Sequence, residues 1–186
     1  GKILNEEKFD IVIVQGDTTT TFVSSLVSFY HKIPVGHVEA GLRTNNIYYP
    51  FPEEMNRILT DKLSTLDFAP TENAKNNLIK EGVDESKIFV TGNTIVDAIQ
   101  KISNFNVNFN LNLPDDKKII TVTAHRRESW ENGLSRIGNA IKKLSKIYKD
   151  IFFVIPIHKN PVVREKIVPI LSGVDNVLIT EPLDYI

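Results

Sequence analysis

The sequence predicts an α/β fold of parallel strands alternating with helices, and three observations carry that prediction. Short apolar, β-branched runs alternate along the chain with stretches whose apolar residues recur at helical spacing. A polar or charged group stands at the end of one run after another: Asp17, Glu39, His125, His158 and Glu181. The rhythm breaks once, at 104–114, and then restarts. Together these predict two doubly wound parallel sheets, each present only in part.

In order, Phe9–Val14 is apolar except for Asp10 and reads as a buried strand ended by Gln15-Gly16-Asp17. Residues Thr18–Lys32 read as a helix, with Thr18–Thr21 as cap candidates. Ile33–Val38 is the next strand and delivers Glu39 to its end, where Ala40-Gly41 lets the backbone turn. The loop 45–51 is rich in aromatics. Pro52 then opens a helix to Leu63, with Met55, Ile58, Leu59 and Leu63 on one face. Leu66–Ala69 is a short strand. Thr71 caps a helix from Glu72 to Glu81, and Gly82 ends it. Ile88–Val90 is a strand, followed by Thr91-Gly92-Asn93 and a helix from Thr94 to about Ser103.

Between Asn104 and Pro114 asparagine occupies every second position, a composition poor in strand formers that marks a connector. A boundary here gives 1–103 as the latter part of one domain and 104–186 as the first part of another. Beyond it Lys118–Thr123 is a buried strand, Leu134–Tyr148 a helix with Leu134, Ile137, Ile141, Leu144 and Ile147 aligned, and Ile151–Ile157 a strand. Val162–Leu171 is a helix and Val177–Thr180 a strand.

Composition narrows the function classes. With 186 residues and a formal net charge of −1, the chain has no charge excess for coating nucleic acid. Cysteine is absent, which removes disulfides and thiolate chemistry and fits a reducing cytoplasm. No apolar run approaches the ~20 residues of a membrane helix, and no signal-peptide pattern is present. Four scattered histidines do not make a metal site, so no metal is expected. The chain starts and stops as though mid-protein, and is expected to be a fragment.

The candidate chemistry sits at the strand ends. Asp17 can accept a sugar hydroxyl or act as a base, or it can simply cap the helix that follows. Glu39 follows an apolar strand; burial would raise its pKa and poise it for proton transfer, unless it is neutralised by Arg43 or Arg57. Of Glu53 and Glu54, only one can face the loop edge, and the other is expected to be solvated. His125-Arg126-Arg127-Glu128 is the densest cluster, a strand end followed by basic residues and a helix start, suited to an anion such as a diphosphate. His158 and Lys159 offer a second anion contact. No glycine-rich nucleotide fingerprint occurs.

Taken in series, six segments are specific. They are Gln15-Gly16-Asp17-Thr18, His37-Val38-Glu39-Ala40-Gly41-Leu42-Arg43-Thr44, Pro52-Glu53-Glu54-Met55-Asn56-Arg57, Thr91-Gly92-Asn93-Thr94, His125-Arg126-Arg127-Glu128-Ser129 and Pro156-Ile157-His158-Lys159-Asn160-Pro161. The series resembles the non-hydrolysing UDP-N-acetylglucosamine 2-epimerases over nearly the whole chain. The resemblance implies a glycosyltransferase-B type fold of two Rossmann-like doubly wound sheets, both incomplete here, the second belonging to a UDP-binding domain. It implies cytoplasmic interconversion of UDP-GlcNAc and UDP-ManNAc by UDP elimination and re-addition through a 2-acetamidoglucal, with no cofactor, no membrane and no nucleic acid. It implies Asp17, Glu39 and Glu53 as the carboxylates for acid–base work and His125 at the departing diphosphate. Arg43, Arg126 and Glu128 are the expected substrate contacts. Arg126 and His158 match a neighbouring regulatory site, and the full-length family is usually a homodimer.

The resemblance also has gaps. The family's Gly-Thr-Arg-Pro-Glu loop would lie ahead of Gly1 and its Ser-Gly-Gly segment beyond Ile186. The 186 residues alone are therefore expected to bind UDP weakly and not to turn over. A UDP-sugar glycosyltransferase of the same fold, a hydrolysing epimerase that releases free ManNAc, and a non-catalytic nucleotide-sugar sensor are the competing readings.

Overall fold

The computed structural model describes residues 1–105, 111–126 and 133–183. The chain divides into two compact units, Gly1–Phe105 and Asn106–Ile186.

The first unit opens with a short helix α1 (Lys2–Glu6) and then alternates strictly. It contains β1 (Val12–Gln15), α2 (Thr19–Tyr30), β2 (Val35–Val38), α3 (Glu53–Leu63), β3 (Leu66–Ala69), α4 (Glu72–Lys80), a 3₁₀ turn, β4 (Ile88–Val90) and α5 (Thr94–Ile102). The four strands are parallel in the order β1-β2-β3-β4, with Gln15 opposite Val38 and Val38 opposite Phe68. That register puts the loops after β1 and β2 side by side on the C-terminal edge, where ligands bind in open α/β sheets.

Local chemistry sets the element ends. Thr18 caps α2 by accepting from the Thr21 amide at 3.2 Å, and Thr71 caps α4 from Ala74 at 3.1 Å. Asn93 caps α5 in the same way. Gly82, at a φ of 84°, ends the turn after α4.

The second unit holds β5 (Lys118–Thr121), α6 (Gly133–Ile147), β6 (Ile151–Pro156), α7 (Pro161–Leu171) and β7 (Val177–Thr180), with three parallel strands in the order β5-β6-β7. Asn160 caps α7 and Pro161 fills its first turn. Leu134 and Ile141 of α6, Phe153 and Ile155 of β6, Ile157 just beyond it, and Val163, Ile167 and Leu171 of α7 form its core. Each such fully buried side chain contributes about 1.5–3 kcal/mol.

Three expectations need correction. The strands β1 and β5 are shorter than expected and far less buried. Ile13 is 55% exposed, and all four residues of β5 are exposed. Both are edge strands of their sheets among the described residues. In α6 the buried positions are Leu134, Gly138, Ile141 and Ser145, while Leu144 and Ile147 are exposed. In α3 the buried face is polar, made of Glu54, Asn56, Thr60 and Asp61, and Leu59 is exposed.

Candidate functional site

In the first unit, Asp17 and Glu39 reach the same sheet edge from neighbouring strands. The turn after β1 is held by the Gly16 amide, which donates to the Val38 carbonyl at 3.0 Å. Gly16 has a φ of 76°, and a Cβ there would lie 3.7 Å from Oε2 of Glu39. Glu39 itself sits at a φ of 69°. A glutamate in the left-handed region is strained, and such strain collects where a side chain must be aimed. The conformation is fixed by the amides of Glu39 and Ala40, which both donate to the Phe68 carbonyl. Gln15 Nε2 lies 3.4 Å from Oε1 of Glu39 and 3.3 Å from Oγ1 of Thr94, so the Thr91–Thr94 segment also meets this edge.

The first turns of α3 grip Asp17 twice. Asn56 Nδ2 donates to its backbone carbonyl at 3.0 Å, and Arg57 Nη2 donates to its carboxylate. Because Thr18 caps α2, the Asp17 side chain is left to Arg57. Glu53 lies one helical turn from Arg57 and is half-buried. The two glutamates of α3 part company, but not as expected. Glu54 is not solvated: it is fully buried, accepts from the amides of Thr44 at 2.8 Å and Asn45 at 3.0 Å, and lies 3.3 Å from Arg57 Nη1.

Arg43 does not point at this edge. Its side chain is 3% exposed, forks onto Glu81 at 2.6 and 2.8 Å, and donates to Asp61 Oδ2 at 2.7 Å. Burial opposes its charge, and Glu81 and Asp61 override that and raise its pKa. The same Arg43 fork lowers the pKa of Glu81. Behind the loops, His37 bonds Asp61 through Nδ1 at 2.5 Å and the Gly16 carbonyl through Nε2 at 2.8 Å. Burial works against the charge on His37, but Asp61, Gly16 and Asp67 together raise its pKa. Burial also pushes Asp67 up to about 6; the Ser64 hydrogen bond opposes that rise and the Asp61 charge adds to it.

One donor atom from each of His37, Asp61 and Asp67 lies within 4.8 Å of the others. His37 and Asp61 bond each other, Asp61 also accepts from Gly41 and Arg43, and Asp67 accepts from Ser64, so these side chains are already committed to protein partners rather than left open for a metal.

In the second unit, His125 and His158 come together at the ends of β5 and β6, with ring centroids 5.6 Å apart. They share a cavity of about 340 Å³ with Thr123, Ala124, Pro156, Pro182 and Leu183. Arg126 lines an adjoining hollow with His125 and Ile137. Nδ1 of His158 accepts from the Asn160 amide at 3.1 Å, which leaves Nε2 to carry the ring proton. Glu181 is taken by Arg164, whose guanidinium donates to it at 2.9 and 2.6 Å. Glu128, expected to contact substrate, lies outside the described residues, as does Arg127.

Sequence reasoning missed the roles of Gln15, His37, Glu54, Asp61 and Asp67. A usable signal existed for one of them: Asp67 stands inside the short apolar strand Leu66–Ala69, where a lone acid demands a partner.

A family profile described as UDP-N-acetylglucosamine 2-epimerase matches residues 1–186. The UDP-N-acetylglucosamine 2-epimerase of Neisseria meningitidis is 49% identical over 193 residues, covering 99% of this chain and 52% of that protein. The crystal structure of the Neisseria meningitidis enzyme bound to UDP-GlcNAc superposes with a TM-score of 0.92 at 48% identity, over 99% of this chain and 52% of that one. The Methanocaldococcus jannaschii enzyme in complex with UDP-GlcNAc and UDP gives 0.75 at 40% identity, over 99% of this chain and 52% of that one. This chain therefore spans about half the length of the relatives it matches. A family profile that spans all 186 residues, together with two parallel sheets that superpose on a solved relative, makes it a member of the UDP-N-acetylglucosamine 2-epimerase family, of glycosyltransferase-B type fold.

Proposed function

We propose that the protein interconverts UDP-GlcNAc and UDP-ManNAc, inverting C2 by eliminating UDP and adding it back. The observation that carries this reading is the placement of Asp17 and Glu39 on one sheet edge, each held by its own framework, with Glu53 in the first turn of α3, the helix whose Asn56 and Arg57 hold Asp17. Two solved relatives with UDP-GlcNAc bound support the substrate class.

The chemistry asks for these groups. The C2 proton of the sugar is weakly acidic, so a positioned carboxylate removes it as the C1–O bond to diphosphate breaks. The products of that step are UDP and 2-acetamidoglucal, with a C1=C2 double bond. A second acid then protonates C2 on the opposite face while diphosphate returns to C1. Asp17, Glu39 and Glu53 supply the carboxylates. His125, with Arg126 nearby, serves the leaving diphosphate by hydrogen bonding and charge. Arg126 and His158 take a regulatory second nucleotide sugar. Arg43 belongs to the framework, since its guanidinium is committed to Asp61 and Glu81. The enzyme acts in the cytoplasm as a homodimer, with residues 1–103 and 104–186 as parts of its two domains.

The test is to quench the reaction of the full-length protein and analyse its sugars. UDP with 2-acetamidoglucal in the quenched mixture supports the proposal. Free ManNAc points to a hydrolysing epimerase. Transfer of GlcNAc to an acceptor points to a glycosyltransferase.

A further inference from the structure

His37 is fully buried and both of its ring nitrogens are bonded. The partner of Nε2 is the carbonyl of Gly16, the peptide unit that leads into Asp17. A carbonyl only accepts, so Nε2 carries a proton. The partner of Nδ1 is Oδ1 of Asp61 at 2.5 Å. The other oxygen of Asp61 accepts from the Gly41 amide at 3.3 Å and from Arg43 Nη2 at 2.7 Å. A proton on that oxygen has no place. With Arg43 beside it, Asp61 is an acceptor at both oxygens, and Nδ1 donates as well.

The charged groups around the ring come from every neighbouring element: Asp61 of α3, Asp67 of β3, Arg43 of the loop after β2, and Glu81 after α4, which pairs with Arg43. Asp61 ties the ring to Gly41, two residues beyond Glu39, and the ring ties itself to Gly16, one residue before Asp17.

We propose that His37 is an imidazolium at neutral pH that holds the Gly16–Asp17 turn in register with the Glu39–Gly41 turn, and is thus a positioning residue for the reaction. The positioning half rests on the epimerase reading above; the charge half does not. A neutral ring with one N–H would leave one of the two contacts without a donor, and the two turns would no longer share one rigid support.

The charge is tested in the wild-type protein at full length, without substrate, by ¹⁵N NMR of histidine side chains. The expected result is a His37 ring with both nitrogens protonated at pH 7.5, and a coupling through the hydrogen bond from Nε2 to the Gly16 carbonyl. A singly protonated ring at pH 7.5 overturns the proposal, whatever the enzyme turns over. The positioning role is tested with His37→Gln, which keeps one donor, and Asp61→Asn, which removes the counter-charge. For each variant that keeps the wild-type amide spectrum, kcat should fall by about 10–100-fold and KM should change little. An unchanged kcat overturns the positioning role. If neither variant folds, the wild-type ring signals still decide the proposal. An inactive wild type with the doubly protonated ring would count against the epimerase reading and not against the charge.

Discussion

The carboxylate of Asp17 accepts a hydrogen bond from Nη2 of Arg57, a residue one turn into α3, while Nη1 of the same guanidinium lies 3.3 Å from the buried carboxylate of Glu54. One cation therefore serves both a candidate catalytic acid and the acid that holds the loop after β2. Replacing Arg57 with Met leaves Glu54 buried without its counter-charge. The expected cost is about 3 kcal/mol of stability, read by urea denaturation, together with a fall in kcat. Arg57→Lys should recover part of the stability and little of the rate, because an ammonium cannot fork between two acids.

The neighbouring glutamates of α3 should separate stability from activity. Glu54→Ala removes the acceptor for the Thr44 and Asn45 amides and should cost about 2–3 kcal/mol. Glu53→Gln should shift stability by no more than about 0.5 kcal/mol and lower kcat by about 10²–10⁴-fold. Thermal denaturation paired with an epimerisation assay measures both.

Much of this site was legible in the sequence because its strand ends are short and abrupt. Gly16 before Asp17, Glu39 before Ala40-Gly41, and Pro52 before Glu53 all mark the places where the loops turn, and the structure brings Asp17 and Glu39 to one edge. What hid from the sequence was α3. Helical periodicity assigns its apolar residues inward, yet the helix buries Glu54, Asn56, Thr60 and Asp61. Those side chains stay inside because tertiary partners exist for them: the loop amides for Glu54, the Asp17 carbonyl for Asn56, and His37 with Arg43 for Asp61. No count of hydrophobic residues contains that information. Arg43 misled for a related reason, since its partners Asp61 and Glu81 are distant in sequence.

Gly41 should tolerate no side chain. It sits at a φ of 80°, and a Cβ would fall 2.3 Å from the Ala74 carbonyl oxygen in α4. Gly41→Ala is expected to destabilise by about 3 kcal/mol or more. Gly82→Ala, at a similar φ but with open space around it, should cost only about 1 kcal/mol. Parallel urea titrations of the two variants distinguish crowding from backbone strain.

The buried acid Asp67 should imprint its own pH dependence on stability. Its carboxyl titrates near 3.8 when unfolded and is pushed up to about 6 by burial in the fold. Below the lower value it is protonated in both states and contributes fully. Between the two the folded state holds the extra proton, so stability falls as pH rises. The fall attributable to this group is about 1–3 kcal/mol. His37, whose pKa is raised, adds stability that is lost only as pH climbs through its folded value. Denaturation curves from pH 4 to pH 7 should show the decline in the wild type and a flatter profile in Asp67→Asn.

The central claim is that paired carboxylates on one sheet edge exchange the proton at C2 of a UDP-linked amino sugar. It is tested most directly by following UDP-GlcNAc in D₂O by proton NMR with the full-length protein. The account predicts loss of the C2 proton signal together with the appearance of UDP-ManNAc deuterated at C2, and loss of both in Glu39→Gln. Intact UDP-GlcNAc with its C2 proton retained, in the presence of folded and nucleotide-bound protein, would contradict it.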